Sequence, residues 1–280
     1  MPFAFLSDRS LITVTGKDAQ DFLHNLITTD IAGLPEGEAR PGALLTPQGK
    51  ILFDFVIWRM ENGFVVEIDQ AQREAFARRL TMYKLRAAVD IASVEETGVT
   101  VAWGGETLAG GIIDTAFAKS GIVLRRAPGE QADGDEAAYQ ALRISAGLAV
   151  SVRDFPLQDA FPHDVLLDKD DGLSFRKGCY VGQEVVSRMQ HRGTARRRVV
   201  IVSASEPLPA AGTDILAGAK PVGTLGSAVG NQGLAIVRID RVGDALANNI
   251  PLTVADIPVS LVLPEWTGLS FPTAAEEAET

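Results

Sequence analysis

The feature that most constrains the fold is a change of pattern at Arg198. After this residue the chain consists of short apolar segments, such as "VVIVSA" and "LAIVRI", that are separated by Gly, Pro and Asn without a helical spacing of apolar residues. Short strands divided by turn residues are typical of β-barrels and β-sandwiches. We therefore predict an all-β, barrel-like C-terminal domain at 193–270, followed by an acidic tail at 271–280.

Before this point, helical and strand patterns alternate. The segment "ITVTGKDAQDFLHNLITTDI" predicts a strand and then a helix, because its apolar residues from Ala19 to Ile27 recur every three or four positions. Two apolar runs joined by Thr46-Pro47-Gln48-Gly49 predict a β-hairpin with a type I turn. With a further strand at "GFVVEID" and helices at 70–86 and through "AAYQALRISAG", the pattern indicates an α+β fold with antiparallel pieces.

The length and the single cysteine limit the class of protein. A chain of 280 residues exceeds the roughly 100–200 residues of one domain, so we expect two or three domains. No run approaches the ~20 apolar residues that span a bilayer, and the start "MPFAFLSDRS" resembles neither a signal peptide nor a transit peptide. One cysteine excludes an intrachain disulfide and an all-cysteine metal site, which fits a reducing compartment. We predict a cytoplasmic protein with no membrane partner.

The charge is acidic overall but basic in one place. A formal net charge of -10 argues against nucleic acid as a partner, because phosphate binding depends on Lys and Arg. Between Leu173 and Arg198, by contrast, the only acid is Glu184. The basic residues of this cluster are Arg176, Lys177, Arg188, Arg192, Arg196, Arg197 and Arg198, together with His191. The cluster could hold a carboxylate or phosphate, and the alternative, favoured for the last three arginines, is a solvated linker.

The lone Cys179 lies inside this basic cluster. Val181, Val185 and Met189 recur at intervals of four, which predicts a helix with Cys179 near its N-terminus. The N–H groups of a helix end and nearby cations favour the thiolate, the nucleophilic and metal-binding form. The alternative is that Cys179 is a small buried hydrophobe. The flanking glycines, at 178 and 182, indicate close backbone approach or an unusual turn.

Asp54 is the second candidate. It shares one face of a predicted strand with Leu52, Val56 and Trp58, so it is a carboxylate on an otherwise apolar face. Such a group must be hydrogen-bonded, have a raised pKa or face a cavity, and it suits recognition of a heterocycle edge or an amine. The alternative is an exposed face or a hydrogen bond near the turn.

The remaining chemistry-bearing residues give no recognised site. His24, His163 and His191 have no second histidine at metal-ligand spacing, so we predict structural roles for them and no metal site. The nucleotide-phosphate loop motifs and the zinc-protease motif are also missing from the sequence.

The segment "KGCYVGQEVVSR" resembles the K-G-C-[FY]-x-G-Q-E signature of the YgfZ-type folate-binding proteins, which are related to the glycine-cleavage T-protein. The matching residues are Lys177, Gly178, Cys179, Tyr180, Gly182, Gln183 and Glu184. The landmarks "GKDAQDFLHNLITTDI", "LLTPQGKILFDFVIW", "YKLRAAV" and "LRISAGL" precede it in the family's order. The resemblance therefore covers nearly the whole chain.

The resemblance implies a three-domain cloverleaf whose central cavity binds tetrahydrofolate, and a role in the assembly or repair of iron–sulfur clusters. On this basis the first domain is expected at 1–45 plus 118–192 and the second at 46–117. Asp54 matches the aspartate of the T-proteins that takes part in aminomethyl transfer. Ser145 replaces their pterin-contacting glutamate, and they lack the cysteine motif, which puts aminomethyltransferase activity in doubt.

Three hypotheses follow. In the first, the protein is a tetrahydrofolate-binding accessory factor without stand-alone turnover, in which the thiolate of Cys179 acts on a cluster, a metal or a partner thiol. The residues that would hold the folate are Asp54, Arg176, Lys177, Gln183 and Arg188. Because a cluster usually needs four protein ligands, the partners of this protein would be iron–sulfur assembly proteins or cluster-containing clients.

In the second hypothesis, the protein is a folate-dependent aminomethyl or one-carbon transferase that uses Asp54. In the third, it is a non-catalytic docking module whose basic patch binds an acidic partner.

Overall fold

The computed structural model describes residues 1–95 and 98–272. Contacts divide the chain into two compact units, Met1–Tyr139 with Leu167–Val185, and Gln140–Leu166 with Val186–Thr280. This division is coarser than the three domains expected from the sequence, which remain a prediction. The acidic tail predicted at 271–280 lies outside the described residues from position 273 onward.

The first unit is built on one nine-stranded sheet. Its strands are Phe3–Leu6 (β1), Arg9–Thr15 (β2), Glu38–Leu45 (β3), Ile51–Met60 (β4), Gly63–Asp69 (β5), Asp90–Ser93 (β6), Val99–Ala102 (β7), Ile112–Asp114 (β8) and Arg125–Pro128 (β9). Their order in the sheet is β1-β7-β9-β8-β3-β4-β5-β2-β6, with β3 and β8 parallel and every other pair antiparallel. The helices are Ala19–His24 (α1), Arg73–Lys84 (α2), after a 3₁₀ turn at Gln70–Gln72, and Thr115–Lys119 (α3). Helices Glu136–Ala146 (α4) and Gln183–His191 (α5) each cross from one unit into the other.

The hairpin predicted around Thr46 is confirmed. Strands β3 and β4 pair in antiparallel register, and the N–H of Gly49 donates to the carbonyl of Thr46 at 2.9 Å. The alternation predicted for β4 is also present, since Phe53 and Phe55 are buried while Asp54 between them is half-buried. Both phenylalanine rings contact Phe76 of α2, with centroids 5.4 and 5.5 Å apart. Burial of each such ring contributes about 1.5–3 kcal/mol, so this face of the sheet holds the main core of the unit.

Helix α1 forms where predicted but is shorter than predicted. It ends at His24, whereas Leu26 and Ile27, which the spacing placed in the helix, are buried beyond its end. The cause is competition from the sheet, because the next residue, Thr28, donates its N–H to the carbonyl of Ala43 in β3 at 2.9 Å.

The opposite face of the sheet carries a buried ion network. Arg126 of β9 pairs with Glu67 of β5 and, at 2.6 Å, with Asp114, while Arg9 of β2 pairs with Glu67 at 3.0 Å. Strands β9 and β5 are four positions apart in the sheet, which in a flat sheet is about 19 Å. A direct ion pair between them therefore requires the sheet to curl, so that this face is concave.

The second unit contains the predicted β domain. Its strands are Arg197–Ala204 (β10), Asp214–Ala217 (β11), Lys220–Val229 (β12), Gln232–Arg238 (β13), Leu252–Val254 (β14) and Ile257–Val262 (β15). They form a closed barrel in the order β10-β13-β12-β11-β14-β15, in which β15 pairs back onto β10. The expectation of a barrel-like domain is confirmed.

The expectation that this domain contains no helical pattern is wrong. Helix Ile239–Ala247 (α6) follows β13 directly, and a 3₁₀ turn occurs at Glu265–Thr267. Val242 and Ala245 of α6 are buried in the barrel core. Their spacing of three residues is typical of a helix, but the apolar residues at the end of β13 obscure it in the sequence. None of the described helices combines the length and apolar character needed to cross a membrane.

Candidate functional site

Cys179 is exposed, in a segment of irregular structure that runs from 174 to 182 and is called the cysteine loop below. The predicted helix exists as α5, but it begins at Gln183, four residues after Cys179. Gly182 has a positive φ of 81°, a conformation outside the right-handed helix, so the helix cannot extend back to the thiol. Exposure contradicts the alternative in which Cys179 is a small buried hydrophobe.

Lys177 anchors the cysteine loop. Its ammonium donates to the carbonyl oxygens of Ile27 at 2.6 Å and Thr29 at 2.9 Å, and it lies 5.2 Å from the centre of the Tyr180 ring. Burial lowers the pKa of Lys177 to about 8, and the nearby Asp30 carboxylate acts in the opposite direction. The motif lysine therefore binds the segment between α1 and β3, and its part in holding folate stays a prediction.

A second set of bonds holds the residues before Lys177. The N–H of Ser174 donates to the carbonyl of Thr28 at 3.0 Å. The hydroxyl of Thr28 donates to the carbonyl of Gly172 at 2.7 Å and accepts from the N–H of Ala43 at 2.9 Å. One threonine thus joins the start of the cysteine loop to β3.

Gly182 packs against the turn of the β3–β4 hairpin. A Cβ atom at Gly182 would lie 2.6 Å from the carbonyl oxygen of Thr46, and one at Gly49 would lie 3.1 Å from the Cβ of Val185. The close backbone approach predicted at the flanking glycines is therefore confirmed at Gly182. At Gly178 a Cβ would meet nothing nearer than the Nε2 atom of His24, at 4.0 Å.

The residues of the cysteine loop differ in exposure. Lys177 and Tyr180 are buried, whereas Gly178 and Cys179 are exposed. Burial raises the pKa of Tyr180, and its hydroxyl has no hydrogen-bond partner among the described residues. The loop is therefore held by its buried side chains, and Cys179 stays exposed.

Sequence reasoning missed the neighbourhood of His24. Its Nδ1 atom lies 3.7 Å from a carboxylate oxygen of Asp30. Burial and the positive charge of Lys177 lower the pKa of His24, so its imidazole is neutral at pH 7. His24 and Lys177 are more than 150 positions apart, so no local pattern could have joined them. Within the described ranges, no group of three or more His, Cys, Asp or Glu side chains is arranged to hold a metal ion.

The basic cluster divides into two parts. Arg176 and Arg188 are exposed, as is the motif residue Glu184, while Gln183 is half-buried at the start of α5. Arg198 is buried and donates to the carbonyl of His163 at 2.6 Å. The expectation of a solvated linker at the last arginines is therefore wrong for Arg197 and Arg198, because β10 begins at Arg197, which also donates to the carboxylate of Asp159 at 2.8 Å.

Asp54 lies on the concave face of the sheet. Its neighbour Val56 stands opposite Glu67, so Asp54 and Glu67 project from the same face. Burial alone would lower the pKa of Arg9, but the carboxylates of Glu67 and Asp54 outweigh it, and the pKa of Arg9 is raised. Asp54 is thus accompanied by a cation that sequence reasoning missed, rather than by apolar side chains alone.

Asp54 and the cysteine loop are linked through the same hairpin. Asp54 is the third residue after Ile51, where β4 begins, so it stands about 10 Å along the strand from the turn that Gly182 contacts. Ser145, which replaces a glutamate of the T-proteins, is exposed and its hydroxyl donates to the carbonyl of Leu142 at 2.8 Å. It offers no carboxylate for a ligand.

Two described families match parts of the chain. Residues 6–110 match the GCVT N-terminal domain. Residues 196–269 match the C-terminal beta-barrel domain of CAF17, which is the region of the closed barrel.

The fold has a solved counterpart. The crystal structure of glycine cleavage system aminomethyltransferase T from Bartonella henselae matches with a TM-score of 0.69, over 96% of this chain and 87% of that chain. The sequence identity is 17%, so the likeness shows the fold alone. The predicted T-protein fold is confirmed.

Relatives match over most of their length. The mouse iron-sulfur cluster assembly factor IBA57, mitochondrial, is 29% identical over 318 residues, which cover 97% of this chain and 86% of the mouse protein. The human protein of the same name is 30% identical over 301 residues, which cover 93% of this chain and 84% of the human one.

These names contradict the cytoplasmic location predicted above, since the mouse, human and fungal relatives are all named mitochondrial. The prediction failed because a single cysteine excludes an intrachain disulfide in any compartment and so does not distinguish one reducing compartment from another.

The identity to the human protein along nearly the whole chain, together with the T-protein fold and the CAF17-type barrel, shows that this chain belongs to the IBA57-type family of iron–sulfur cluster assembly factors.

Proposed function

We propose that this protein is a tetrahydrofolate-binding accessory factor in iron–sulfur cluster assembly or repair, and that the thiolate of Cys179 acts on a cluster, a metal or a partner thiol. The observation that carries the proposal is an exposed thiol on a loop whose flanking side chains are fixed. A structural cysteine is buried and does not need to be exposed on a fixed loop, whereas a thiol that must reach another protein has to be exposed.

The proposed chemistry needs a second protein. A cluster usually takes four protein ligands, and the described residues offer no group of three. Cys179 would therefore supply one ligand or one nucleophile, and an iron–sulfur assembly protein or a cluster-containing client would supply the rest. The exposed Arg176, three residues before the thiol, adds positive charge that attracts an acidic partner.

The concave face of the sheet supports folate binding. The edge of a pterin presents both donors and acceptors, and Asp54 can accept while Arg9 can donate. Arg176 and Gln183 are candidates for the acidic glutamate tail, and Arg188, which belongs to the second unit, stays a prediction from the resemblance. When bound, tetrahydrofolate would supply a carrier for one-carbon groups.

The role of the thiol is tested in cells that lack the endogenous protein. We expect Cys179→Ser, which keeps the size of the side chain, to leave cluster-dependent enzyme activities at the level of the null strain. The control moves the thiol, because Thr194 is exposed and can be replaced by cysteine in the Cys179→Ser background. Full activity of Cys179→Ser, or rescue by a thiol at 194, would refute the role.

Folate binding is tested by titration of the purified protein with tetrahydrofolate in a calorimeter. We expect Asp54→Asn and Arg9→Gln each to weaken binding about tenfold or more, which corresponds to about 1.4 kcal/mol. Glu206→Gln is the matched control, because Glu206 is an exposed acid in the second unit. Wild-type protein that releases no heat and shows no thermal shift with tetrahydrofolate would reject this part alone.

Aminomethyl transfer is the second candidate, and the observation in its favour is the half-buried Asp54 beside Arg9. The exposed Ser145 hydroxyl stands against it. The reaction is tested by measuring methylenetetrahydrofolate formed from a carrier-bound aminomethyl donor, with Asp54→Asn as the control. We expect the wild-type protein to form no methylenetetrahydrofolate at saturating tetrahydrofolate.

A further inference from the structure

The end of helix α2 exposes two large apolar side chains. Leu85, directly after the helix, is 90% exposed and is the most exposed large apolar residue in the described part of the chain. Met82, one turn earlier, is 64% exposed. Neither contributes much to the core of the first unit, so folding does not explain their presence.

The backbone at Leu85 is strained. Its φ of 41° and ψ of -103° are close to the first central position of a type II′ turn, which glycine dominates. The N–H of Ala87 donates to the carbonyl of Lys84 at 2.8 Å and closes this turn. Leucine at this position strains the backbone and exposes apolar surface. A strained non-glycine residue whose large apolar side chain makes little contact with the core is a mark of function.

Most of the charges around these residues are positive, although Lys84 at the end of α2 pairs with the exposed Asp90 at 3.9 Å. Arg78 and Arg86 are exposed and Arg79 is half-buried, and among the described residues none of the three forms an ion pair. Glu74 is the one acid within α2. In a chain with a net charge of -10, a surface with this sign attracts acidic groups.

We propose that the surface formed by Ala75, Arg78, Met82, Leu85 and Arg86, called the α2 surface, docks an acidic segment of a partner protein that carries an aliphatic or aromatic side chain. The arginines complement the acids, and Met82 and Leu85 contact the apolar side chain. The small Ala75 lets the partner's backbone come close. The proposal depends on neither Cys179 nor folate.

A protein segment fits this surface better than a lipid bilayer. An amphipathic helix that lies in a membrane interface needs a continuous face of bulky apolar residues. Here the bulky apolar residues are confined to the last turn of α2 and the residue after it, and the earlier exposed positions of the helix are Glu74, Ala75 and Arg78. Two large side chains beside arginines form a local anchor, as in protein interfaces.

The decisive variant is Leu85→Gly. We expect it to raise the thermal midpoint by a few degrees, because it relieves the strained turn. We expect it at the same time to weaken docking about tenfold or more. The probe is a fluorescein-labelled synthetic peptide in which Glu and Asp alternate with Leu and Phe, and binding is followed by anisotropy at several salt concentrations.

The control is Val152→Gly. Val152 is also a non-glycine residue with positive φ (69°) and is 63% exposed, but it belongs to the second unit. It should gain stability without a change in peptide binding. In the same way, Arg78→Glu with Arg86→Glu should abolish binding, and Lys220→Glu on the barrel should not.

Three results would overturn the proposal. The first is equal binding of the peptide to wild type and to Leu85→Gly. The second is binding of wild type to vesicles of phosphatidylserine and phosphatidylcholine, but not to the peptide, with loss in Leu85→Gly. The third is a concentration-dependent dimer in sedimentation that Leu85→Gly abolishes, with no peptide binding, which would assign the α2 surface to a second copy of this chain.

Discussion

At the scale of single residues, two buried ionisable groups decide how the cysteine loop is held. Lys177 satisfies two carbonyl oxygens of the segment that follows α1. Asp170, a few residues before the loop, is 4% exposed and accepts from the N–H of Gly172 at 2.9 Å. Burial raises the pKa of Asp170 well above its usual range, opposed by this hydrogen bond and assisted by the nearby acids Asp168 and Asp114. Lys177 therefore stabilises the loop, whereas the buried carboxyl group of Asp170 destabilises the folded protein when it ionises.

Lys177→Met should weaken the fold and loosen the loop. The change leaves the carbonyls of Ile27 and Thr29 without their donor in a buried place, so we expect a loss of about 2–4 kcal/mol in the free energy of unfolding by urea. Trypsin should also cleave after the exposed Arg176 more rapidly. Lys220→Met, at an exposed lysine, should change stability by less than about 0.5 kcal/mol. Unchanged stability of Lys177→Met would show that the two hydrogen bonds do not hold the loop.

Asp170→Asn should stabilise the protein in a pH-dependent way. Because the pKa of Asp170 is raised in the folded state, its contribution is present below the unfolded value of about 3.9 and is lost as pH rises towards the folded pKa. Asparagine keeps the acceptor for Gly172 and carries no charge. The variant and the wild type should be equally stable near pH 4 and diverge above it, by up to about 1.4 kcal/mol per pH unit. Parallel stability curves from pH 4 to 8 would contradict this.

At the scale of elements, the contact between the β3–β4 turn and Gly182 places the start of α5. The turn and Gly182 approach so closely that any side chain at 182 would meet the carbonyl oxygen of Thr46. The glycine also takes a positive φ, which ends the helix on its N-terminal side. A single residue therefore sets both where the cysteine loop stops and which strand pair supports it.

The variants Gly182→Ala and Gly193→Ala separate the cost of a positive φ from the cost of the close contact with Thr46. Both glycines have positive φ, but a Cβ at Gly193 would have nothing within 4 Å. We expect Gly193→Ala to cost about 1 kcal/mol from backbone conformation, and Gly182→Ala to cost about 1–3 kcal/mol more from the collision with Thr46. Unfolding in urea measures both. Equal costs would mean that the hairpin turn yields to the extra methyl group.

The sequence predicts elements where one pattern dominates and fails where two compete. The hairpin around Thr46 was predictable from its turn residues, and the strand alternation around Asp54 from its period. The end of α1 was not, because the apolar spacing continues to Ile27 while a hydrogen bond from Thr28 to a distant strand ends the helix. The motif identified Cys179 as a candidate, but Arg9 is 45 positions from Asp54 and becomes its neighbour only through sheet pairing.

At the scale of the whole first unit, the curl of the sheet depends on buried charge. Arg126 connects two strands that are not neighbours in the sheet, and both of its carboxylate partners are almost completely buried. Burial by itself would lower the pKa of Arg126, but Glu67 and Asp114 raise it well above its usual value, so the guanidinium stays charged. Burial of these charges costs desolvation free energy, and the ion pairs between them define the concave face of the sheet.

Arg126→Leu should therefore be among the most damaging single changes in the unit. It leaves Glu67 and Asp114 buried without their cation, and we expect a loss of about 3–5 kcal/mol in the free energy of unfolding. The double variant Arg126→Leu with Glu67→Leu should recover part of this loss, because it removes one of the unpaired charges. If the double variant is less stable than the single one, the curl depends on packing around Glu67 rather than on charge balance.

The two sheets differ in how they end. The barrel closes on itself through β15 and β10, so its backbone hydrogen-bonding groups are paired around the full circle. The sheet of the first unit is open, and β1 and β6 each pair with only one described strand. An open edge is a template on which another chain can add a strand. The outer side of β1 is partly covered, because the N–H of Asp135 donates to the carbonyl of Phe3 at 2.9 Å. Misassembly and fibril growth, when the protein is concentrated, should therefore start from β6 of the first unit, and prolines introduced on the outer side of β6 should suppress them where prolines on the barrel would not.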